Sequence, residues 1–121
     1  MGTEQILRGV LDRWQKGIDA HEPESVAAAF SADAVFQGLR PYTVGRAGVV
    51  AYYDSQPLGM TVTYRILETR RPTTDVVLGY VAATFVFTDR PALELNIGVV
   101  LTNGADGWQI AQYQAASSTR G

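Results

Sequence analysis

Residues 93–102 read Leu93-Glu94-Leu95-Asn96-Ile97-Gly98-Val99-Val100-Leu101-Thr102, and their alternation decides the fold class. Side chains of a β-strand point to opposite faces in turn, so Leu93, Leu95, Ile97, Val99 and Leu101 share one face. Glu94, Asn96, Gly98, Val100 and Thr102 share the other. Working outward, similar runs rich in Val, Ile, Thr, Tyr and Phe occupy about 58–71, 75–88 and 107–117. Between them stand Pro72-Thr73-Thr74, Asp89-Arg90-Pro91 and Asn103-Gly104-Ala105-Asp106, which read as hairpin turns. The second half of the chain is therefore predicted to be a meander of four long strands.

The first half has a different period. Ile6, Leu7, Val10, Leu11, Trp14 and Ile18 recur at helical spacing from residue 4 to about 19, with Thr3 as a candidate N-cap and Glu4 in the first turn. Pro23 suits the first position of a second, short helix that carries Val26 and Phe30 on one face and ends near Ser31. Ala34 to Gly38 reads as a short strand, and Arg46 to Ser55 as a third helix closed by Pro57. Helices first and strands afterwards predict an α+β domain, with three N-terminal helices packed on a curved antiparallel sheet. With no repeat, linker or charge block, residues 1–121 read as a single domain; residues 117–121 read as a frayed tail.

Composition excludes several function classes. Ten Lys and Arg against twelve Asp and Glu leave a net charge of −2, which offers no electrostatic footprint for nucleic acid or an anionic membrane. The absence of cysteine removes disulfides, thiolate catalysis and Cys-ligated metal, and the single histidine, His21, leaves no histidine-rich metal site. Neither a GxGxxG nor a P-loop is present to cradle a nucleotide, so neither metal nor cofactor is expected. The N-terminal residues lack the pattern of a signal peptide, and no apolar run approaches the roughly 20 residues that span a bilayer, so a cytoplasmic location is expected.

The strand faces carry the functional expectations. The strand over 75–88 is apolar on both sides, with Leu78, Tyr80, Ala82 and Val86 opposite Val81, Ala83, Phe85 and Phe87, so both faces of the sheet need cover. The helices cover one, and a homodimer through Leu93, Leu95, Ile97 and Val99 is expected to cover the other. The helix-covered face then carries Glu94, Asn96, Gln112 and Gln114 among aromatics, a mixture that suits a small-molecule pocket. Glu94 is the one carboxylate placed there and the candidate general base. Asn96, Gln112, Gln114, Tyr53 and Tyr64 are candidates to hold a ligand oxygen; Trp14, Phe30, Phe36, Phe85 and Phe87 are candidates for an aromatic wall.

The order of a helix, a Pro-started helix, Phe30-Ser31-Ala32-Asp33-Ala34-Val35-Phe36, a Gly-led helix ending Tyr52-Tyr53 and four long strands resembles the NTF2-like superfamily. The segment Gly107-Trp108-Gln109-Ile110-Ala111-Gln112-Tyr113-Gln114 followed by Ser117 resembles the closing strand of SnoaL-like and DUF4440-like small domains. The resemblance implies a cone-shaped α+β domain with a pocket between helices and sheet, and a dimer. It also implies where chemistry would sit. Ketosteroid isomerases of this fold use a tyrosine, an aspartate base and a second acid at positions that hold Trp14, Gly38 and Gly98 here, and only Tyr53 matches a supporting tyrosine. Relatives commonly carry histidines where this chain has Gln112 and Gln114, and an amide transfers no proton near neutral pH. Binding of a small, largely apolar or aromatic molecule is therefore expected ahead of cofactor-free isomerase, cyclase, dehydratase or hydrolase chemistry. The alternative is a non-catalytic dimerisation or accessory module.

Overall fold

In the computed structural model, which describes residues 2–118, the chain runs α1 (Thr3–Asp19), α2 (Pro23–Ala27), β1 (Phe30–Gln37), β2 (Thr43–Val44), α3 (Arg46–Asp54), β3 (Thr61–Thr73), β4 (Val76–Val86), β5 (Leu93–Gly104) and β6 (Gly107–Ser117). The strands form one six-stranded sheet in the order β2-β1-β6-β5-β4-β3. β3 to β6 make the expected meander. β1 returns along the far side of β6 and pairs with it in parallel, so the sheet is mixed rather than purely antiparallel. Register shifts at Ile66/Glu68, Arg70/Thr73 and Val100/Leu101 bend the long strands, and the sheet curves around the helices without closing.

Two helix boundaries differ from expectation. The N-cap of α1 is Gly2, whose N–H donates to Gln5 Oε1 at 3.1 Å, and Thr3 is already helical. α2 stops at Ala27, because the next residues leave the helix to pair with the sheet: Ile110 N–H donates to Ala29 O at 2.8 Å, and Phe30 opens β1 instead of lying on a helix face. His21 occupies the turn between α1 and α2 with φ 51°, a left-handed conformation that histidine tolerates better than most side chains.

α1 lays Ile6, Leu7, Val10, Leu11, Trp14 and Ile18 against the sheet. Gly79 allows the close approach: a Cβ there would stand 2.7 Å from Leu7 Cδ1 and 3.1 Å from Val99 Cγ2. Polar contacts fix the helix laterally. Gln15 Nε2 donates to Val62 O at 2.7 Å, Val62 N–H donates to Asp19 Oδ1 at 2.9 Å, and the Tyr64 hydroxyl donates to Asp12 Oδ1 at 2.5 Å. No helix among the described residues is long and apolar enough to cross a membrane.

The faces of the sheet are the reverse of the sequence expectation. Leu95, Ile97, Val99 and Leu101 are buried in the core beneath α1, together with Val77, Val81, Ala83 and Phe85 of β4. Glu94, Asn96, Val100, Gln112 and Gln114 lie on the opposite, open face. A face of Leu, Ile and Val loses more free energy in water than one of amides and a carboxylate, so it is the one the helices cover. The homodimer surface placed at Leu93, Leu95, Ile97 and Val99 is corrected accordingly: those residues serve the monomer's own core or, for Leu93, its rim.

At the C-terminal end Ser117 completes β6, and Ser118 donates its N–H and its hydroxyl to Glu94 O at 3.4 and 3.1 Å. The remainder of the expected frayed tail, residues 119–121, lies outside the described residues.

Candidate functional site

The cone between helices and sheet is mostly filled. Trp14, Phe30 and Phe36 are fully buried or nearly so and pack as a cluster: Phe30 meets Phe36 at 5.6 Å between ring centres, and Trp14 stands perpendicular to Phe85 at 6.1 Å. These three residues, expected to line a ligand wall, are core. What stays open is a cavity of about 50 Å³ at one end, lined by Gly38, Leu39, Tyr52, Tyr53, Gln56, Met60, Phe85, Phe87, Leu93, Leu95 and Tyr113. That is room for about three or four water molecules, against roughly 300 Å³ or more for a site that swallows a drug-sized ligand. Only a small molecule, or the small end of a larger one, fits between these walls.

Each wall has a structural origin. α3 supplies Tyr52 and Tyr53 from consecutive positions, so their rings diverge, meeting at 5.1 Å and 77°. Tyr52 lies across the end of β1, where Gly38 makes space: a Cβ at Gly38 would fall 2.4 to 2.6 Å from the Tyr52 ring. The Tyr52 hydroxyl accepts from Leu39 N–H at 3.3 Å, and the Arg40 guanidinium stands 5.8 Å from the Tyr52 ring centre, which braces the mouth. Tyr53 points inward. Trp14 Nε1–H donates to its hydroxyl at 3.1 Å, and that hydroxyl lies 3.5 Å from the Tyr113 hydroxyl. Tyr113 enters from β6 and stacks on Phe36 at 4.8 Å and 25°.

Burial pushes both inner phenols well above the ordinary tyrosine range. For Tyr113 the neighbouring Tyr53 adds to the rise; for Tyr53 the hydrogen bonds from its partners oppose it. Both therefore remain neutral donors throughout the physiological range. Among the described residues no carboxylate, histidine, lysine or arginine is part of the lining, and Arg40 stands outside it at the mouth.

The sequence-predicted site residues divide into four groups. Tyr53, Phe85 and Phe87 line the cavity. Trp14, Phe30 and Phe36 stand behind it as packing. Tyr64 is bound to Asp12 at the α1–β3 edge, with its hydroxyl raised first by burial and then by the carboxylate. Glu94 and Asn96 line a groove of about 310 Å³ on the open face with Thr63, Arg65 and Thr84. Gln112 and Gln114 are exposed on that same face. Glu94 is thus separated by the sheet from the cone, which corrects its placement as a base within the pocket. Arg46, at the start of α3, donates Nε–H to Phe30 O at 2.9 Å and anchors the helix to β1.

Sequence reasoning missed Tyr113, Tyr52, Gln56, Met60, Leu93 and Leu95 as cavity residues. The signal for Tyr113 was present: it alternates with Gln112 and Gln114, so whichever face carries the amides, Tyr113 is on the other.

No family model and no curated protein sequence matches the chain. Solved structures do. A domain of unknown function with a cystatin-like fold from Nostoc punctiforme superposes with a TM-score of 0.84 at 19% identity, covering 97% of this chain and 78% of that one. A ketosteroid isomerase-like protein from Erwinia carotovora atroseptica gives 0.81 at 20% identity, covering 96% of each chain. An NTF-2 like protein of unknown function from Shewanella oneidensis gives 0.81 at 8% identity, covering 93% of this chain and 97% of that one. Identities this low speak for the fold alone, and with the element order and sheet topology above they show that the chain has the NTF2-like, cystatin-like α+β fold.

Proposed function

We propose that the protein binds a small, uncharged and largely apolar molecule, or the apolar end of a larger one, in the cavity between α3 and the sheet. The observation that carries this reading is the lining itself: aromatic and aliphatic walls with the Gln56 amide and two buried phenols, and among the described residues no ionised side chain. Likeness to a ketosteroid isomerase-like protein supports a ligand of apolar character. The closing-strand segment 107–114 supports a place among the SnoaL-like small domains.

Binding is favoured over catalysis by what stands at the reactive positions. Trp14 is buried and committed to Tyr53, and Gly38 lines the mouth without a side chain; Gly98 faces away from the cavity, on the open face beside Tyr80, and is not a position of this site. Proton transfer near neutral pH is served best by a carboxylate or imidazole within reach of the substrate, and among the described residues the cavity lining offers neither. A thermal-shift panel of small aromatic and alicyclic compounds tests the reading. A binder present at ten times its Kd stabilises by about 1.4 kcal/mol, which raises Tm by a few degrees. A broad panel of such compounds with no effect on Tm contradicts it.

The open face supports a second reading that is compatible with the first, a homodimer through the side of the sheet away from the helices. Leu78, Tyr80 and Val86 are 37 to 45% exposed there, while the centre of the face carries Asn96, Gly98, Val100, Gln112 and Gln114, with Glu94 and Arg65 toward one end. Burying such a surface against its own copy is the simplest way to cover it. Sedimentation at micromolar concentration is expected to give twice the 13.1 kDa of one chain. Tyr80→Glu is expected to return it to the monomer, and a monomeric wild type contradicts the dimer.

A further inference from the structure

The size of the cavity decides where the rest of a ligand lies. About 50 Å³ admits only the small end of most molecules, and a charged group carried inside meets no ionised partner among the described residues of the lining. A charged head therefore stands outside, at the mouth. There two guanidinium groups rest against rings that also line the cavity. Arg40 Cζ lies 5.8 Å from the centre of the Tyr52 ring, on α3, and Arg90 Cζ lies 5.3 Å from the centre of the Phe87 ring, just past β4. A guanidinium that leans on a ring is held in place and keeps N–H donors for a ligand. Tyr52 is itself fixed, since its hydroxyl accepts from Leu39 N–H at 3.3 Å and its ring meets that of Phe36 at 5.0 Å. Leu39, half exposed, leads from the lining to Arg40, the next residue in the chain.

The charges on these rings do not cancel. Arg90 pairs with Asp89, its Nε–H and Nη2–H donating to the two carboxylate oxygens at 3.1 and 3.3 Å. Among the described residues the Arg40 side chain has no ion pair and no hydrogen bond. Two guanidinium groups and one carboxylate leave a single uncompensated positive charge beside an apolar cavity. We infer that the protein takes an amphipathic monoanion, with its apolar end in the cavity and a carboxylate at the mouth on Arg40, Arg90 making a second, weaker contact. The inference rests on the cavity being the ligand site and names the class of molecule that enters it. A carboxylate offers two oxygens that match the guanidinium fork. A doubly charged phosphate has more charge than these side chains offset, and an ammonium head is repelled by them.

Ethylbenzene, 3-phenylpropanamide and 3-phenylpropionate carry the same ring and two-carbon arm, the second ending in a neutral amide and the third in a carboxylate. NMR titration of each against the wild type, Arg40→Gln and Arg90→Gln, at about 20 mM salt where charges are least screened, tests the inference. In the wild type the carboxylate is expected to bind about three- to tenfold tighter than the amide, the range for one or two partly exposed charge-assisted contacts, and to displace ethylbenzene. Salt at about 500 mM is expected to remove most of that preference. Arg40→Gln is expected to bring the ratio of carboxylate to amide affinity close to one, and Arg90→Gln to lower it less. Both ligands are read on the same variant, so a general weakening of the cavity cancels in the ratio. The salt dependence is read on wild-type protein and decides even if a variant does not fold. Equal binding of carboxylate and amide by the wild type overturns the inference, as does a preference that survives Arg40→Gln intact or a carboxylate that binds without displacing ethylbenzene. In each of those cases bound ethylbenzene leaves the cavity standing as a site. If none of the three compounds binds, the cavity reading fails and the inference with it.

Discussion

Ile97→Asp is expected to lower the unfolding free energy by about 4 kcal/mol or more, while Val100→Asp, three residues along the same strand, is expected to cost about 1 kcal/mol. The two positions differ in face. Ile97 is 1% exposed, pairs with Val81 and Ala115, and sits in the core under α1. A carboxylate there has no partner and must either ionise in an apolar setting or bind a proton, and both routes destabilise the fold. Val100 pairs with Leu78 and Gln112 on the open face, where an aspartate reaches water and loses only strand preference and partial burial. Small domains have about 5–15 kcal/mol in total, so the first change brings the chain near unfolding and the second does not. Urea denaturation at submicromolar concentration, where a dimer through the open face contributes least, measures both. Equal losses, or the larger loss at Val100, would mean that the faces had been assigned the wrong way round.

Trp14→Ala is expected to cost about 3–5 kcal/mol, through removal of a large fully buried ring and of the donor to Tyr53. The indole touches three strands at once: Tyr64 of β3 at 6.5 Å, Phe85 of β4 at 6.1 Å and Tyr113 of β6 at 6.0 Å between ring centres. No neighbour can collapse into the space without leaving another contact, so a cavity is expected to remain. Trp14→Phe keeps much of the ring and loses the donor, and it is expected to cost less. A melting temperature for Trp14→Ala within a degree or two of wild type would show that the indole is not the keystone of the cone.

Much of the fold was legible because the signals are local. Helical spacing from Ile6 to Ile18, Pro23 at a helix start, and period-two alternation bounded by Gly, Pro and Asp all act within a few residues. The parts that were not legible depend on partners far away. Phe30 is four residues from Val26, which suits a helix, but backbone pairing with Ile110 recruits it into a strand. β2 contains two residues, too few to show a period, and exists through pairing with Val35 and Phe36. Neither those partners nor the parallel direction of β1 against β6 is written in spacing.

The candidate site was half legible for a related reason. Alternation in β5 separates Ile97 from Asn96 but does not say which of them faces the helices. Reading the amides as pocket lining placed the covered face one residue out of phase, so Glu94, Asn96, Gln112 and Gln114 were assigned to a cavity from which the sheet separates them. The helices supplied the missing argument. An apolar stripe such as Leu7, Val10, Leu11 and Trp14 gains most by burying the more apolar of the two faces. With the phase set that way, Tyr113 moves inside with Tyr53, and the chemistry of the cavity changes from carboxylate and amide to a pair of phenols.

The most direct test of the account is where a small apolar ligand sits. With ¹³C-labelled methyl groups, titration of ethylbenzene is expected to shift Leu93, Leu95, Leu39 and Met60 around the cavity and to leave Leu78 and Val100 on the open face unmoved. Shifts confined to Leu78 and Val100, with the cavity methyls unchanged at saturating ligand, would contradict it.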